Sequence, residues 1–143
     1  MDESAYKSMR GSWSDRTCAF EKTVLTKCVY CSQIEKHNLA EREVVLCQDA
    51  LHRSRCISLY QLLRSNFTFA LGVTHSDDPL PHAKEMRLQC GGLIGLQYVV
   101  DATTEVTDVA QLLDAAQQSF GGLEKLPFQE VVQAAKMHYR YRR

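Results

Sequence analysis

The sequence predicts a mostly α-helical single domain with a small β-hairpin or knuckle, a metal-binding cysteine cluster and a C-terminal αα-hairpin. Three observations predict it. Apolar residues recur at helical spacing from about residue 49 onward. The β-branched run Glu43-Val44-Val45-Leu46-Cys47 is short and bounded by polar segments. All but one of the six cysteines fall between Cys18 and Cys56. A chain of 143 residues, 45% hydrophobic and 24% charged, can bury a core without staples.

Residues 1–16 are polar and serine-rich and are expected to form an arm, docked on the domain by Trp13. Residues 17–143 then form one cysteine-rich domain, with a knuckle and helix over 17–66 and a helical part over 83–143. Glu21 to Cys28 reads as a short strand entering the knuckle, Ser32 to Arg42 as turns, and Glu43 to Cys47 as the partner strand. Asp49 suits the N-cap of a helix running to about Asn66. Cys56, Leu59, Tyr60 and Leu63 share one face of it. Phe67 to Leu71 alternates weakly and reads as extended. Thr74 to His82, with two prolines and two aspartates, reads as a surface loop.

A second helix is expected over about Ala83 to Val100. Gly91, Gly92 and Gly95 weaken it and point to a close approach or a break after Cys90. Thr107 or Asp108 caps a third helix that ends at Gly121-Gly122. Pro127 opens a fourth, and the short loop between the last two predicts the αα-hairpin.

The cysteines follow the spacing C-x9-C-x2-C-x15-C-x8-C-x33-C. The Cys28-Val29-Tyr30-Cys31 pair can curl so that both sulfurs point at one centre, with Cys47 and Cys56 closing a four-sulfur site. Such a set suits an iron–sulfur cluster of the [4Fe–4S] type, with Cys90 as a substitute fourth ligand. Arg53 and Arg55 flank Cys56 and would balance the charge of an anionic cluster. Gly91 and Gly92 would let backbone N–H groups reach the Cys90 sulfur. In spacing alone, Cys28, Cys31, Cys47 and Cys90 are similar to high-potential iron–sulfur proteins.

Zinc is the alternative. The second pair beside Cys28 and Cys31 is Cys47 with Cys56, whose C-x8-C spacing is not usual for zinc, or His52 with Cys56, which share a helix face and make a sound tetrahedral set. A dithiol couple at Cys28-x-x-Cys31 lacks a surrounding βαβ pattern. The remaining reading is six reduced, mostly buried cysteines.

Other motifs carry less. Thr74-His75-Ser76-Asp77-Asp78 holds triad residue types, but adjacent residues do not converge as a triad does, so a solvated loop is expected. His75, Asp77 and His82 form a minor metal alternative. Gly91-Gly92-Leu93-Ile94-Gly95 lacks the ending of a phosphate loop. The tail Lys136 to Arg143 interleaves basic and aromatic residues, which suits nucleic-acid contacts as well as a solvated helix end.

Formal net charge is zero, so no global field draws the chain to nucleic acid or anionic membrane. No apolar run approaches the ~18–20 residues of a membrane span, and Met1-Asp2-Glu3-Ser4 lacks signal-peptide character. The expectation is a small cytoplasmic iron–sulfur protein that carries electrons or serves a larger redox enzyme as an accessory subunit. A structural-zinc interaction module, binding nucleic acid through its tail, is the rival. No acid/base pair or nucleophile constellation stands out, which weighs against independent enzyme activity.

Overall fold

The structure is a computed structural model and describes residues 11, 13–73, 75 and 78–140. Its described elements are α1 (Glu21–Leu25), β1 (Ile34–Leu39), β2 (Arg42–Cys47), α2 (Ala50–Asn66), α3 (Thr68–Leu71), α4 (His82–Met86), a π turn (Arg87–Gly91), α5 (Gly92–Asp101), α6 (Val109–Phe120), a 3-10 turn (Leu123–Lys125) and α7 (Phe128–His138). The described chain is mostly helical with one two-stranded antiparallel hairpin. Among the described residues no helix is long and apolar enough to cross a membrane.

The hairpin forms with Glu43 to Cys47 as one strand, as the sequence predicts, but with a different partner strand. β1 pairs with β2 in the register Ile34↔Cys47 through Leu39↔Arg42, so Ser32 to Arg42 is strand and turn. Ala40 (φ 53°) and Glu41 (φ 66°) both take the left-handed conformation of a two-residue hairpin turn. Neither residue is Asn or Gly, so the usual signal for this turn is missing. Glu21–Leu25 is a helix, because Thr23 and Val24 bury their side chains there and the Thr23 hydroxyl donates to the Phe20 carbonyl at 2.7 Å. Tertiary burial overrides the strand preference of these β-branched residues.

Asp49 caps α2 as expected, its carboxylate accepting from the N–H groups of Leu51 (2.9 Å) and His52 (3.2 Å). Cys56, Leu59 and Leu63 are buried along the helix. Phe67 to Leu71 is helical rather than extended: Phe67 and Leu71, one turn apart, are both buried, and Gly72 (φ 69°) ends the turn. His75 is exposed in the loop that follows, and its N–H meets the Asp78 carboxylate at 3.3 Å. Thr74, Ser76 and Asp77 lie outside the described residues.

Residues 82–101 run as one continuous helical stretch that does not break after Cys90 but widens into the π turn. The glycines there serve packing. A Cβ on Gly95 would stand 2.3 Å from the Val131 carbonyl oxygen, so α5 and α7 cross backbone against backbone. This corrects the predicted αα-hairpin: α7 packs chiefly on α5, not on its sequence neighbour α6. The core lies where Leu59 and Leu63 of α2, Leu93 and Leu96 of α5, Leu113 of α6 and Val131 of α7 meet, each fully buried.

Of the N-terminal arm, residues 1–10 and 12 lie outside the described residues. Trp13 stacks near His37 at 5.3 Å, which docks the described part on β1. Arg16 to Cys18 runs along the free edge of β2. Cys18 N–H donates to the Val45 carbonyl at 3.0 Å, and Cys47 N–H donates to the Arg16 carbonyl at 2.7 Å. The C-terminal helix ends at His138, and residues 141–143 of the basic tail lie outside the described residues.

Candidate functional site

Cys18, Cys31, Cys47 and Cys56 line one small cavity of about 20 Å³. Four elements deliver them. The arm's pairing with the β2 edge sets Cys18 beside the strand that ends in Cys47. Cys31 lies three residues before Ile34, whose register partner is Cys47. Cys56 comes from the buried face of α2, which starts after Cys47 because Asp49 caps it. Cys47 and Cys56 therefore need not share one helix, on which nine residues of separation would set them on opposite sides.

The chain around Cys31 is clamped from both sides. Tyr30 N–H donates to the Val106 carbonyl (3.2 Å), and Val109 N–H donates to the Tyr30 carbonyl (2.9 Å). Ser32 N–H donates to the Asp108 carboxylate at 3.0 Å, and the same oxygen caps α6 through Ala110 N–H at 3.1 Å. The clamp brings Cys31 to the N-terminus of α6.

Backbone N–H groups already reach two of the sulfurs. Phe20 N–H points at Cys18, and the N–H groups of Gln33 and Ala110 point at Cys31. Both bonds from the near side come from the residue two positions after the cysteine. Such donors stabilise a thiolate. Burial works against them. It pushes the Cys18 thiol from 9.0 up to about 12, with Cys31 and Cys47 adding to the rise. Burial likewise raises Cys31. It also raises Cys56, where proximity to Cys18, Cys31 and Cys47 adds to the effect. Each of these three thiols feels others of the group, and without a bound cation all three stay protonated near neutral pH. Neutral buried thiols are poor nucleophiles. A cation that replaces their protons relieves both the burial penalty and the mutual repulsion.

The walls between the sulfurs are apolar and include Phe20, Val24, Ile34 and Val109. His52 and Arg53 complete them. The His52 Nδ1 atom is buried and has no hydrogen-bond partner. Arg53 does not point its charge freely at the sulfurs: it donates to the Thr17 carbonyl (2.9 Å) and the Ser14 carbonyl (2.8 Å), pinning the arm over the cavity. Arg55 pairs with Asp114 at 2.5 Å and still favours the charged form of Cys56.

Of the cysteines that spacing groups together, Cys31, Cys47 and Cys56 line this cavity, and Cys18 lines it with them. Cys28 and Cys90, by contrast, are joined in a disulfide with Cα atoms 6.2 Å apart. The chain turns at Lys27 (φ 63°), and Cys28 N–H closes back on the Thr23 carbonyl at 2.9 Å. Cys28 thus stays with the end of α1 while Cys31 is drawn to α6. The disulfide also departs from the alternative reading of six reduced cysteines. The only sequence signal for Cys18 is its place among the clustered cysteines.

Among the described residues, no three His, Cys, Asp or Glu side chains stand in a group that could hold a metal ion as arranged. The chain matches no protein-family model, no curated protein and no solved structure.

Proposed function

We propose that Cys18, Cys31, Cys47 and Cys56 hold an iron–sulfur cluster of the [4Fe–4S] type, and that the protein carries electrons or serves a larger redox enzyme as an accessory subunit in a reducing, cytoplasmic setting. The observation that carries this reading is the meeting of four thiols from four separate elements at one apolar cavity. The N–H groups aimed at Cys18 and Cys31 support it, since hydrogen bonds to ligating sulfur stabilise a cluster and set its potential. Arg55 beside Cys56 supplies a positive charge next to an anionic cage.

The present cavity has room for about one water-sized sphere. Seating a cluster requires the cavity to widen. A tetrahedral zinc ion would need its sulfurs about 3.8 Å from one another for bonds of about 2.3 Å.

The test is anaerobic expression with iron and sulfide analysis. The reading expects brown protein absorbing at roughly 400 nm. Serine at Cys18, Cys31, Cys47 or Cys56 should each cost most of the iron, while Cys28→Ser and Cys90→Ser keep it. Colourless wild-type protein after anaerobic reconstitution overturns the reading, and one zinc per chain replaces it with the structural-zinc alternative. Loss of iron in Cys28→Ser but not in Cys18→Ser would restore the ligand set expected from spacing.

A further inference from the structure

The Cys28–Cys90 disulfide lies outside the four-thiol cavity and has no part in the function proposed above. It borders a groove of about 620 Å³, within the usual size of small-ligand sites. The groove is lined by Lys27, His82, His138 and Arg140 as well as by both bonded cysteines, and among the described residues no carboxylate lines it. The chain's formal net charge is zero, so this is a local concentration of positive charge. His138 is held in place by its ring contact with Tyr98 at 4.4 Å.

The two ends of the bond differ. Cys28 is half-buried and Cys90 is 2% exposed. Backbone irregularities flank both: Lys27 is in the left-handed region, and Cys90 sits within the π turn. Such conformations are costly for ordinary residues and gather at functional sites. In the reducing setting proposed above, on which this step rests, a disulfide is more often a transient redox element than a staple.

We propose that Cys28–Cys90 is a thiol–disulfide couple that exchanges with a small anionic thiol bound in this cationic groove. The ligand thiolate attacks Cys28 Sγ, the more accessible sulfur. A bond forms between the ligand and Cys28, the Cys28–Cys90 bond breaks, and Cys90 leaves with the electron pair and takes a proton from solvent. A second ligand thiolate attacks the ligand sulfur of the mixed disulfide, and Cys28 leaves as a thiolate that is then protonated. Two ligand thiols are oxidised to one disulfide, and the cysteine pair gains two electrons and two protons. The reverse sequence, driven by the ligand disulfide, closes the bond again.

The test uses the full-length chain with Cys28–Cys90 oxidised, treated separately with reduced glutathione (anionic), 2-mercaptoethanol (neutral) and cysteamine (cationic) at equal thiolate concentration. Samples are acid-quenched, alkylated and mapped by peptide mass. Glutathione should open the bond about tenfold faster than the neutral thiol, the enrichment a charged cleft gives. Cysteamine should be slowest, and the trapped adduct should sit on Cys28. Lys27→Gln with Arg140→Gln, checked for an unchanged urea midpoint, should erase the preference, as should high salt. Equal rates for the three thiols, opening only in urea, or an adduct on Cys90 would overturn the proposal. Repeating the comparison in Cys18→Ser separates it from the cluster reading: the preference should survive there whether or not wild type binds iron.

Discussion

Replacing Gly95 by alanine tests the packing that holds the helical half together. The added Cβ would stand 2.3 Å from the Val131 carbonyl oxygen, 3.1 Å from the Ala135 nitrogen and 3.3 Å from the Ala135 Cβ. The first two are backbone atoms of α7 and cannot rotate away. Relief of about 1 Å must come from moving α5 and α7 apart, which loosens Leu96, Val131 and Ala135, all at most 3% exposed. Overpacking of this kind typically costs 1–3 kcal/mol and occasionally more, so a rigid backbone clash belongs at about 3–4 kcal/mol. Alanine's better helix propensity returns about 1 kcal/mol. The net expectation is a loss of about 2–3 kcal/mol, or a Tm drop of roughly 6–12 °C for a chain of this size. Urea unfolding followed by circular dichroism measures it. Gly91→Ala is the control, since the nearest atoms to its Cβ would belong to the Tyr139 side chain, from 3.4 Å. It should be neutral or slightly stabilising. A Gly95→Ala protein as stable as wild type would show that α5 and α7 do not cross as described.

Asp108→Ala should cost about 1–2 kcal/mol, because it removes both the α6 cap and the anchor for Ser32 N–H, whereas Asp108→Asn should recover most of the loss in the same urea assay. The Asp49 carboxyl is held below its ordinary 3.8, first by the His52 N–H. Its folded value is the lower one, so its contribution is present above pH 3.8 and is lost as pH falls through the depressed value. Asp49→Asn should therefore flatten the acid limb of the stability curve, and an unchanged limb would refute the cap. Tyr60 is pushed from 10.0 up to about 12, by burial and then by the Glu85 carboxylate that accepts its hydroxyl at 2.5 Å. That stabilisation is present below pH 10 and disappears as pH rises through about 12. The phenolate absorbance lost in Tyr60→Phe should be the part that develops well above pH 10, and a loss near pH 10 would contradict the contact.

The sequence alone determined the features that rest on local chemistry. Asp49 is a cap because a short carboxylate reaches the N–H groups of the next turn, the same reason narrows the cap of α6 to Thr107 or Asp108, and Gly121 ends α6 because it accepts φ 84°. The mostly helical class and a hairpin ending at Cys47 follow from periodicity that neighbours cannot hide. Spacing also singled out the segment from Cys18 to Cys56 as the place to look. Only the tertiary structure decided which cysteines meet. Two residues between Cys28 and Cys31 permit convergence but do not enforce it. The Tyr30 clamp on Val106 and Val109 pulls Cys31 one way, the closure of Cys28 on Thr23 holds it the other, and the edge pairing of the arm brings in Cys18. The pairing of α7 with α5 was equally hidden, because a missing Cβ at Gly95 becomes a contact only once a distant backbone comes to fill the gap.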